Sequence, residues 1–341
     1  VTDRESEPLK RGPRNFASAA DEHAVYVFGV KITGLPGLPG SPEPPRAGLP
    51  RAIVLRFVPK DEIDARWKPQ RCRRLVDRRW PDGRLFLAVD EEYGVGYRIH
   101  APEIGVHLVN AGGTEVLLPE PEGPDWFWQR LLFAQTLPIA ATLQGLALFH
   151  ASAVRIADHA VAVVAPSGTG KSSTAAHLVA QGAAFFTDDV LAVDLVGNEP
   201  LAFAGPQFAN IEEHEVLAVE PDRRAALGRL LGESDKQHHL PPLVAETSLP
   251  LGALYLLQRE RDADEIRVDE FDPSGIAALL ASAFIPHLRT EKRLEQHLAL
   301  CGLMASSGRV YRLRAPLHGS AAAVAAVVME HLRLRLDLPS V

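Results

Sequence analysis

Apolar positions along this chain fall into two textures. From Val25 to Leu118 they come in short runs, at Val25 to Thr33, Ala52 to Val58, Leu85 to Val89, Gly96 to His100, Val106 to Val109 and Thr114 to Leu118. Several of these runs close on Gly, Asp or Pro, so residues 23–125 are predicted to form a small, mainly antiparallel β domain. Near Asp125 the texture changes to an aromatic, helical stretch, DWFWQRLLFAQTLPIAATLQG. From about Ala147 onward apolar runs alternate with helical patterns, which predicts an α/β domain over residues 126–335.

Punctuation between these runs refines the outline. Residues 1–22 are polar and mixed in charge, and read as a flexible tail with no secretory apolar stretch. In residues 34–50, GLPGLPGSPEPPRAGLP, ten of seventeen positions are Gly or Pro, which excludes a helix or interior strand and predicts an exposed, mobile loop. Leu131 to Phe149 carries no charge and is long enough to cross a bilayer if helical. Its Gln135, Thr136, Pro138, Thr142, Gln144 and Gly145 suit a buried helix better than lipid, so no membrane contact is expected. Ser320 to Leu336, rich in Ala and Val, reads as a packing helix.

Composition narrows the class. The chain has 341 residues, of which 46% are hydrophobic and 23% charged, enough to bury a sizeable core in two domains. Its net charge of −7 argues against a surface built as a whole for nucleic acid. Between Arg46 and Arg84, twelve basic residues face five acidic ones, a local excess of +7. Without a nucleic-acid module this stretch reads as a solvated face, with docking of an acidic partner as the alternative. Cys72 and Cys301 lack metal-ligand spacing and read as reduced packing thiols of a cytoplasmic protein.

The chemistry concentrates in Val161 to Ser173, VAVVAPSGTGKSS. Four apolar residues predict a buried strand, Pro166 to Gly170 a tight loop, and Lys171 to about Gln181 a helix. This is a phosphate-binding loop of the form GxxxxGK[ST], with Ala165 at the first Gly position. Ser167, Gly168, Thr169, Gly170, Lys171, Ser172 and Ser173 form its predicted ligand-binding set. The glycines turn backbone amides toward a polyphosphate, Lys171 reaches its outer phosphates, and the Ser172 hydroxyl sits on Mg²⁺ at the positive end of the helix.

Two carboxylates follow, Asp188 and Asp189 in AAFFTDDVLAVD, where an apolar run ends. They are expected at the C-terminal edge of an open parallel sheet, where ligands bind. One would hold Mg²⁺ and the other accept a proton from an attacking hydroxyl. His150, in LALFHASAV, lies just upstream of the loop, after an apolar strand and before a small-residue turn.

The ordered set of FHASAV, APSGTGKSS and FFTDDVLAVD resembles the catalytic domain of HPr kinase/phosphorylase, and more closely the related kinases of peptide-biosynthesis clusters that phosphorylate lasso precursor peptides. The resemblance covers residues 126–335 and implies a phosphoenolpyruvate carboxykinase-like nucleotide domain that uses ATP and Mg²⁺. It implies that Lys171 and Ser172 bind phosphates and metal, that Asp189 helps hold the metal, and that Asp188 is the base with His150 beside it. The segment GNEPLAFAGPQFANIEEHE departs from the HPr kinase signature, so neither HPr as substrate nor the reverse phosphorylase activity is carried over.

Lys236, in ESDKQHHL, is the candidate cation that closes over the transferring phosphoryl group, with a solvated loop lysine as the alternative. His238 and His239 read as loop histidines, and Glu212 or Glu213 as a second metal ligand. The expected function is a cytoplasmic serine kinase acting on a peptide or protein. The alternatives are a small-alcohol kinase of the same fold and a nucleotide-dependent regulator. Nucleic acid is not an expected partner, and a homo-oligomer is left open.

Overall fold

In the computed structural model, described over residues 24–335 except 122 and 289, local chemistry first breaks the opening apolar run in two. Strands β1 (Val25–Val27) and β2 (Val30–Thr33) pair antiparallel around Phe28 and Gly29, both at positive φ, 57° and 76°. Two successive positive φ values are what a two-residue hairpin needs to match strand twist. The predicted single strand is therefore a hairpin, made by Phe-Gly instead of the usual Asn-Gly. The tail 1–22 lies outside the described residues.

The rest of the first domain adds β3 (Ala52–Phe57), helix α1 (Lys60–Arg66), β4 (Cys72–Arg79), β5 (Leu85–Glu92), β6 (Gly96–Ala101), β7 (Gly105–Asn110) and β8 (Glu115–Leu118). Together they form one eight-stranded sheet in the order β1-β2-β3-β8-β7-β6-β5-β4. Pairing is antiparallel except for β2 with β3 and β3 with β8. β4 is the strand whose sequence concealed it, because CRRLVDRR has little apolar alternation. Its arginines are balanced by neighbouring carboxylates: Arg73 to Glu91 at 2.7 Å, Arg74 to Asp77 at 2.8 Å and Arg79 to Asp77 at 2.7 Å. The basic stretch is thus a largely paired, solvated face.

The Gly/Pro-rich segment is not a free loop. Leu35, Leu38 and Ser41 are buried, and Ser41 bridges to Tyr26. Pro39 accepts a hydrogen bond from the Gln207 amide at 2.8 Å, and the Arg46 amide donates to Ser248 Oγ at 2.9 Å. Proline and glycine here shape an irregular strap, exposed over much of its length as expected but anchored at Leu35, Leu38 and Ser41 and by these hydrogen bonds.

The junction is helix α2 (Asp125–Leu131), a π-helical turn over Leu132–Thr136, and helix α3 (Leu137–Leu143). Pro138 has no N–H for the Ala134 carbonyl, and the Leu137 amide reaches back five residues to Leu132. Among the described residues no helix is long and apolar enough to cross a membrane.

The second domain contains β9 (Ala147–Phe149), β10 (Ala151–Ile156), β11 (His159–Val164), α4 (Lys171–Ala180), β12 (Ala184–Thr187), β13 (Leu191–Val196), β14 (Glu199–Phe203), β15 (Ala209–Ile211) and α5 (Glu213–Ala218). It continues with β16 (Arg229–Glu233), β17 (Gln237–Leu240), β18 (Ser248–Glu260), β19 (Arg267–Glu270), α6 (Ile276–Ala281), α7 (Glu291–Ser306), β20 (Val310–Pro316) and α8 (Ala321–Arg335). A nine-stranded sheet carries the order β12-β10-β11-β18-β14-β13-β9, with β20 pairing both β18 and β19. The sheet is mixed, not open and parallel: only β11, β18 and β20 run parallel side by side. Helices cover both faces, so Val161 and Val163 meet α4 and α8 while Ala160, Ala162 and Val164 meet the side of α6 and α7. Burial on both faces explains why β11 reads as an unbroken apolar run.

Register decides what meets at one edge. β10 is antiparallel to both β11 and β12, with Ala151 opposite Val164 and Ala153 opposite Thr187. Hence the end of β11, the end of β12 and the residue before β10 lie together, which places the phosphate loop, Asp188 and His150 on one rim.

The architecture is mixed α/β with two large sheets. The domains are tied by the Arg51–Asp194 ion pair at 2.6 Å and by Gln144, whose amide donates to the carbonyls of Ala52 and Gly113.

Candidate functional site

Helix α4 begins abruptly because its N-cap, Gly170, sits at φ 107°, and Gly168 at φ 76° turns the loop before it. Both angles lie in the left-handed region that side chains with a Cβ disfavour. The loop is braced by Arg259, whose Nε donates to the Thr169 carbonyl at 3.2 Å. Its Nη1 also donates to the Gly319 carbonyl at 2.7 Å, so the loop is pinned to the end of β20.

Lys171 folds back in this structure. Its ammonium donates to the Ala165 carbonyl at 2.8 Å, the Pro166 carbonyl at 3.2 Å and His150 Nε2 at 2.9 Å. Because Nε2 accepts, the proton of a neutral His150 is on Nδ1, facing the Asp189 carbonyl at 3.1 Å and Asp189 Oδ1 at 3.2 Å. Burial lowers the pKa of both His150 and Lys171, and the two aspartates oppose that shift. A neutral imidazole is thus held between a cation and a carboxylate.

The adjacent aspartates differ in setting. Asp188 is buried, and each oxygen has a donor: Ser152 Oγ–H at 2.7 Å and the Asn210 amide at 2.9 Å. Asp189 sits at φ 68° at the tip of a three-residue turn closed by the Val190 amide on the Asp188 carbonyl at 2.9 Å. That is the rare, strained form of the γ-turn, and it throws the Asp189 side chain out to 42% exposure. Solvent reaches its carboxylate, yet the walls of the cleft still penalise its charge. Burial and the neighbouring Asp188 push the Asp189 pKa up, against His150, Lys171 and Lys236.

A cavity of about 880 Å³ opens over the phosphate loop, and its lining includes His150, Lys171, Ser172, Asp189, Asn210 and Lys236. A second, of about 200 Å³, lies on the other side of the aspartate pair and shares Ser167, Ser172, Asp189, Asn210 and Lys236 with the first. Every residue of the predicted phosphate-binding set, Ser167 to Ser173, lines the larger cavity; Asp188 is reached only from the smaller side.

Lys236 belongs to the turn between β16 and β17, and its charge is felt by both Lys171 and Asp189. Among the described residues it makes no ion pair. His238 and His239 are not loop histidines: both are buried on β17. His238 is stacked between Trp126 and Phe208, with ring centroids at 4.9 and 5.6 Å, and bonds Asn210 Oδ1 at 2.7 Å and Ser234 Oγ at 2.9 Å. Burial holds its pKa down at about 4.

Glu212 lines the larger cavity, while Glu213 is exposed on α5. No group of three or more His, Cys, Asp or Glu able to hold a metal exists among the described residues. The available donors, the Ser172 hydroxyl and the Asp188 and Asp189 carboxylates that line the smaller cavity, are hard oxygens. They fit Mg²⁺, which keeps several waters and takes oxygens from its substrate's phosphates.

Sequence reasoning missed Asn210, Ser152, Arg259 and the aromatic residues of the smaller cavity. Asn210 is 22 residues from the carboxylate it supports, and nothing in its own segment marks it.

Comparison with known proteins adds little. No family model matches the chain, and no curated protein matches it. Among solved structures, the HPr(Ser) kinase/phosphatase from Coxiella burnetii is similar at 14% identity with a TM-score of 0.31, covering 56% of this chain and 99% of that one.

Proposed function

We propose that the chain is an ATP- and Mg²⁺-dependent phosphotransferase of the HPr kinase type, acting on a hydroxyl, with a seryl side chain of a peptide as its acceptor. The observation that carries this reading is the meeting of a phosphate loop at a helix N-terminus with a carboxylate–imidazole–lysine chain in one cleft. A phosphoenolpyruvate carboxykinase-like nucleotide domain is the corresponding fold reading. Phosphoryl transfer asks mainly for positioning and charge neutralisation.

The geometry supports exchanging the two aspartate roles expected from sequence. Asp189, exposed in the cleft with a raised pKa, is the better proton acceptor. Asp188, buried and lining the smaller cavity together with Ser172, is the better metal partner. Ser172 and Asp188 would hold Mg²⁺, which supplies charge neutralisation to the phosphates.

The acceptor oxygen bonds to the γ-phosphorus as the bond from that phosphorus to the β–γ bridging oxygen breaks, and the hydroxyl proton passes to Asp189. ADP leaves with the bridging oxygen. Lys171 exchanges its loop carbonyls for phosphate oxygens, and Lys236 faces the charge from the opposite wall. His150 positions Asp189 through its Nδ1–H.

The test is mass spectrometry of short peptides, beginning with any precursor peptide encoded beside the gene, after incubation with ATP and Mg²⁺. A phosphate-sized gain on a seryl peptide, absent with Asp189→Asn, is expected. ATP binding without transfer to any hydroxyl would overturn the reading in favour of a nucleotide-dependent regulator.

A further inference from the structure

Lys236 is the last residue of the three-residue loop, 234–236, that joins β16 to β17. Ser234 and Asp235 are exposed at this tip, while Lys236 is half-buried and lines both cavities. Because its ammonium pairs with no carboxylate among the described residues, its place is set by the loop that carries it. An exposed hairpin tip is among the first parts of a fold to move. A charge, however, stabilises a transition state well only when it is held in place beforehand.

What holds this loop comes from helix α2 at the domain junction. Trp126 and Arg130 are four residues apart and therefore share one face of the helix. Trp126 supports the base of the hairpin: its ring stacks on His238 of β17 at 4.9 Å, and a Cβ added to Gly232 of β16 would collide with it. Arg130 reaches the tip, where Nη1 donates to Ser234 Oγ and Nη2 to Asp235 Oδ1, each at 3.2 Å. The Ser234 hydroxyl donates to Asp235 Oδ1 at 2.6 Å, and the Ser234 amide to the Lys236 carbonyl at 2.9 Å. One guanidinium thus spans both residues that precede Lys236 and ties the turn to α2. A planar fork of donors suits such a bridge better than a single ammonium does.

The base of the same hairpin reaches the aspartate pair. His238 Nδ1 meets Asn210 Oδ1 at 2.7 Å, and the Asn210 amide donates to Asp188 Oδ2 at 2.9 Å. The loop tip and Asp188 therefore share one support. Both Nη atoms of Arg130 are engaged by the loop, so its route to the transferring group runs through Lys236.

We propose that Arg130 is a positioning residue for phosphoryl transfer, bridging Ser234 and Asp235 so that the β16–β17 loop holds Lys236 at the meeting of the two cavities. The inference rests on the kinase reading above and adds to it a residue that acts without touching the reacting atoms.

The test sets Arg130→Ala, Lys236→Ala and the double variant beside the unaltered full chain, with ATP, Mg²⁺ and the seryl peptide found by mass spectrometry. Lys236→Ala is expected to lower kcat on the order of a hundred-fold, the loss that follows removal of one preorganised donor. Arg130→Ala is expected to lower kcat about ten-fold by misplacing that cation, with ATP affinity within about two-fold. The double variant should fall no further than Lys236→Ala alone, because a bridge that only positions Lys236 then has nothing to position. Arg130→Lys, which keeps the charge without the fork, should recover only part of kcat. Asp235→Ala breaks the same bridge from its exposed end and should match Arg130→Ala. Hydrogen exchange over residues 233–237, which needs no acceptor, should quicken about five-fold in Arg130→Ala, the scale of an exposed ion pair.

Additive losses in the double variant would overturn the proposal, since Arg130 would then act on the substrate directly. Full recovery by Arg130→Lys, or unchanged exchange in the loop, would overturn it as well. Transfer to no hydroxyl by the unaltered protein, with ATP bound, would overturn the kinase reading and this role with it, while the exchange result would still show whether Arg130 holds the loop.

Discussion

The two walls of the cleft are built on different plans. The phosphate-loop wall comes from one contiguous stretch, Val161 to Ser173, whose glycines and helix start determine its shape locally. The facing wall is assembled from the Phe28 hairpin, the π turn, Asn210 and the β16–β17 turn, segments far apart in sequence. On the proposed function, a local motif holds the phosphates. Only the assembled wall can decide what receives it, so the two walls should fail separately when mutated.

Asp189→Asn is the largest expected effect: transfer should drop on the order of a thousand-fold while ATP affinity changes by no more than a few-fold. Quenched-flow or steady-state phosphoryl transfer, set beside equilibrium ATP titration, checks it. A comparable fall for Asp188→Asn that excess Mg²⁺ relieves would sharpen the division of roles; the same fall with no metal dependence would undo it.

Next comes the tie between the domains. Arg51 is nearly buried and pairs with Asp194, so Arg51→Ala strands a half-buried carboxylate and should cost about 3 kcal/mol in urea unfolding.

Lys171→Ala acts on the other wall alone. Loss of a charged hydrogen-bond donor to phosphate, about 1.5–3 kcal/mol, should weaken ATP binding roughly ten- to a hundred-fold. Peptide preference among the turnovers that remain should not move.

Acid probes the assembled wall through its buried imidazoles. His238, held at about 4, stays neutral in the native state at pH values where the unfolded chain takes a proton near 6.5. Its stabilisation is therefore present above the unfolded value and is lost as pH falls toward the folded one. His107, buried against the Thr136 hydroxyl at 2.8 Å and lowered to about 3, behaves alike. Between about pH 7.5 and pH 5 each should remove roughly 2 kcal/mol, read as a shift in urea midpoint that shrinks in His238→Phe. A flat pH profile would show that these rings protonate in the folded state.

The smallest effect belongs to the basic face. Arg84 and Asp82, both well exposed, pair at 2.7 Å, and Arg84→Ala should leave the urea midpoint unchanged. Retention on nucleic acid at physiological salt should be absent before and after the change.

Legibility follows the same division. VAVVAPSGTGKSS was readable because strand burial, the glycine turn and the helix start are properties of neighbouring residues. Most first-domain strands were readable from their alternation. β4 was not, because its exposed charged positions find partners on β5 that no local pattern announces. Gly34 to Pro50 was readable as irregular, but the burial of Leu35, Leu38 and Ser41 was not, since composition limits backbone geometry without stating what packs against it. The aspartate pair was found as a pair, yet its division of labour was hidden. Two identical side chains became distinct through Ser152 and Asn210 on one and a strained turn under the other.

By itself, the order of residues determined a glycine turn between a buried strand and a helix, a carboxylate pair soon after it, and a mixed α/β chain, because backbone preference and helix-terminal charge act over a few residues. The tertiary structure alone decided which carboxylate is buried, that His150 bridges Lys171 and Asp189, and that a hairpin of the first domain walls the second cavity. Those properties depend on strand register and on desolvation by distant segments, and neither exists until the chain has closed on itself.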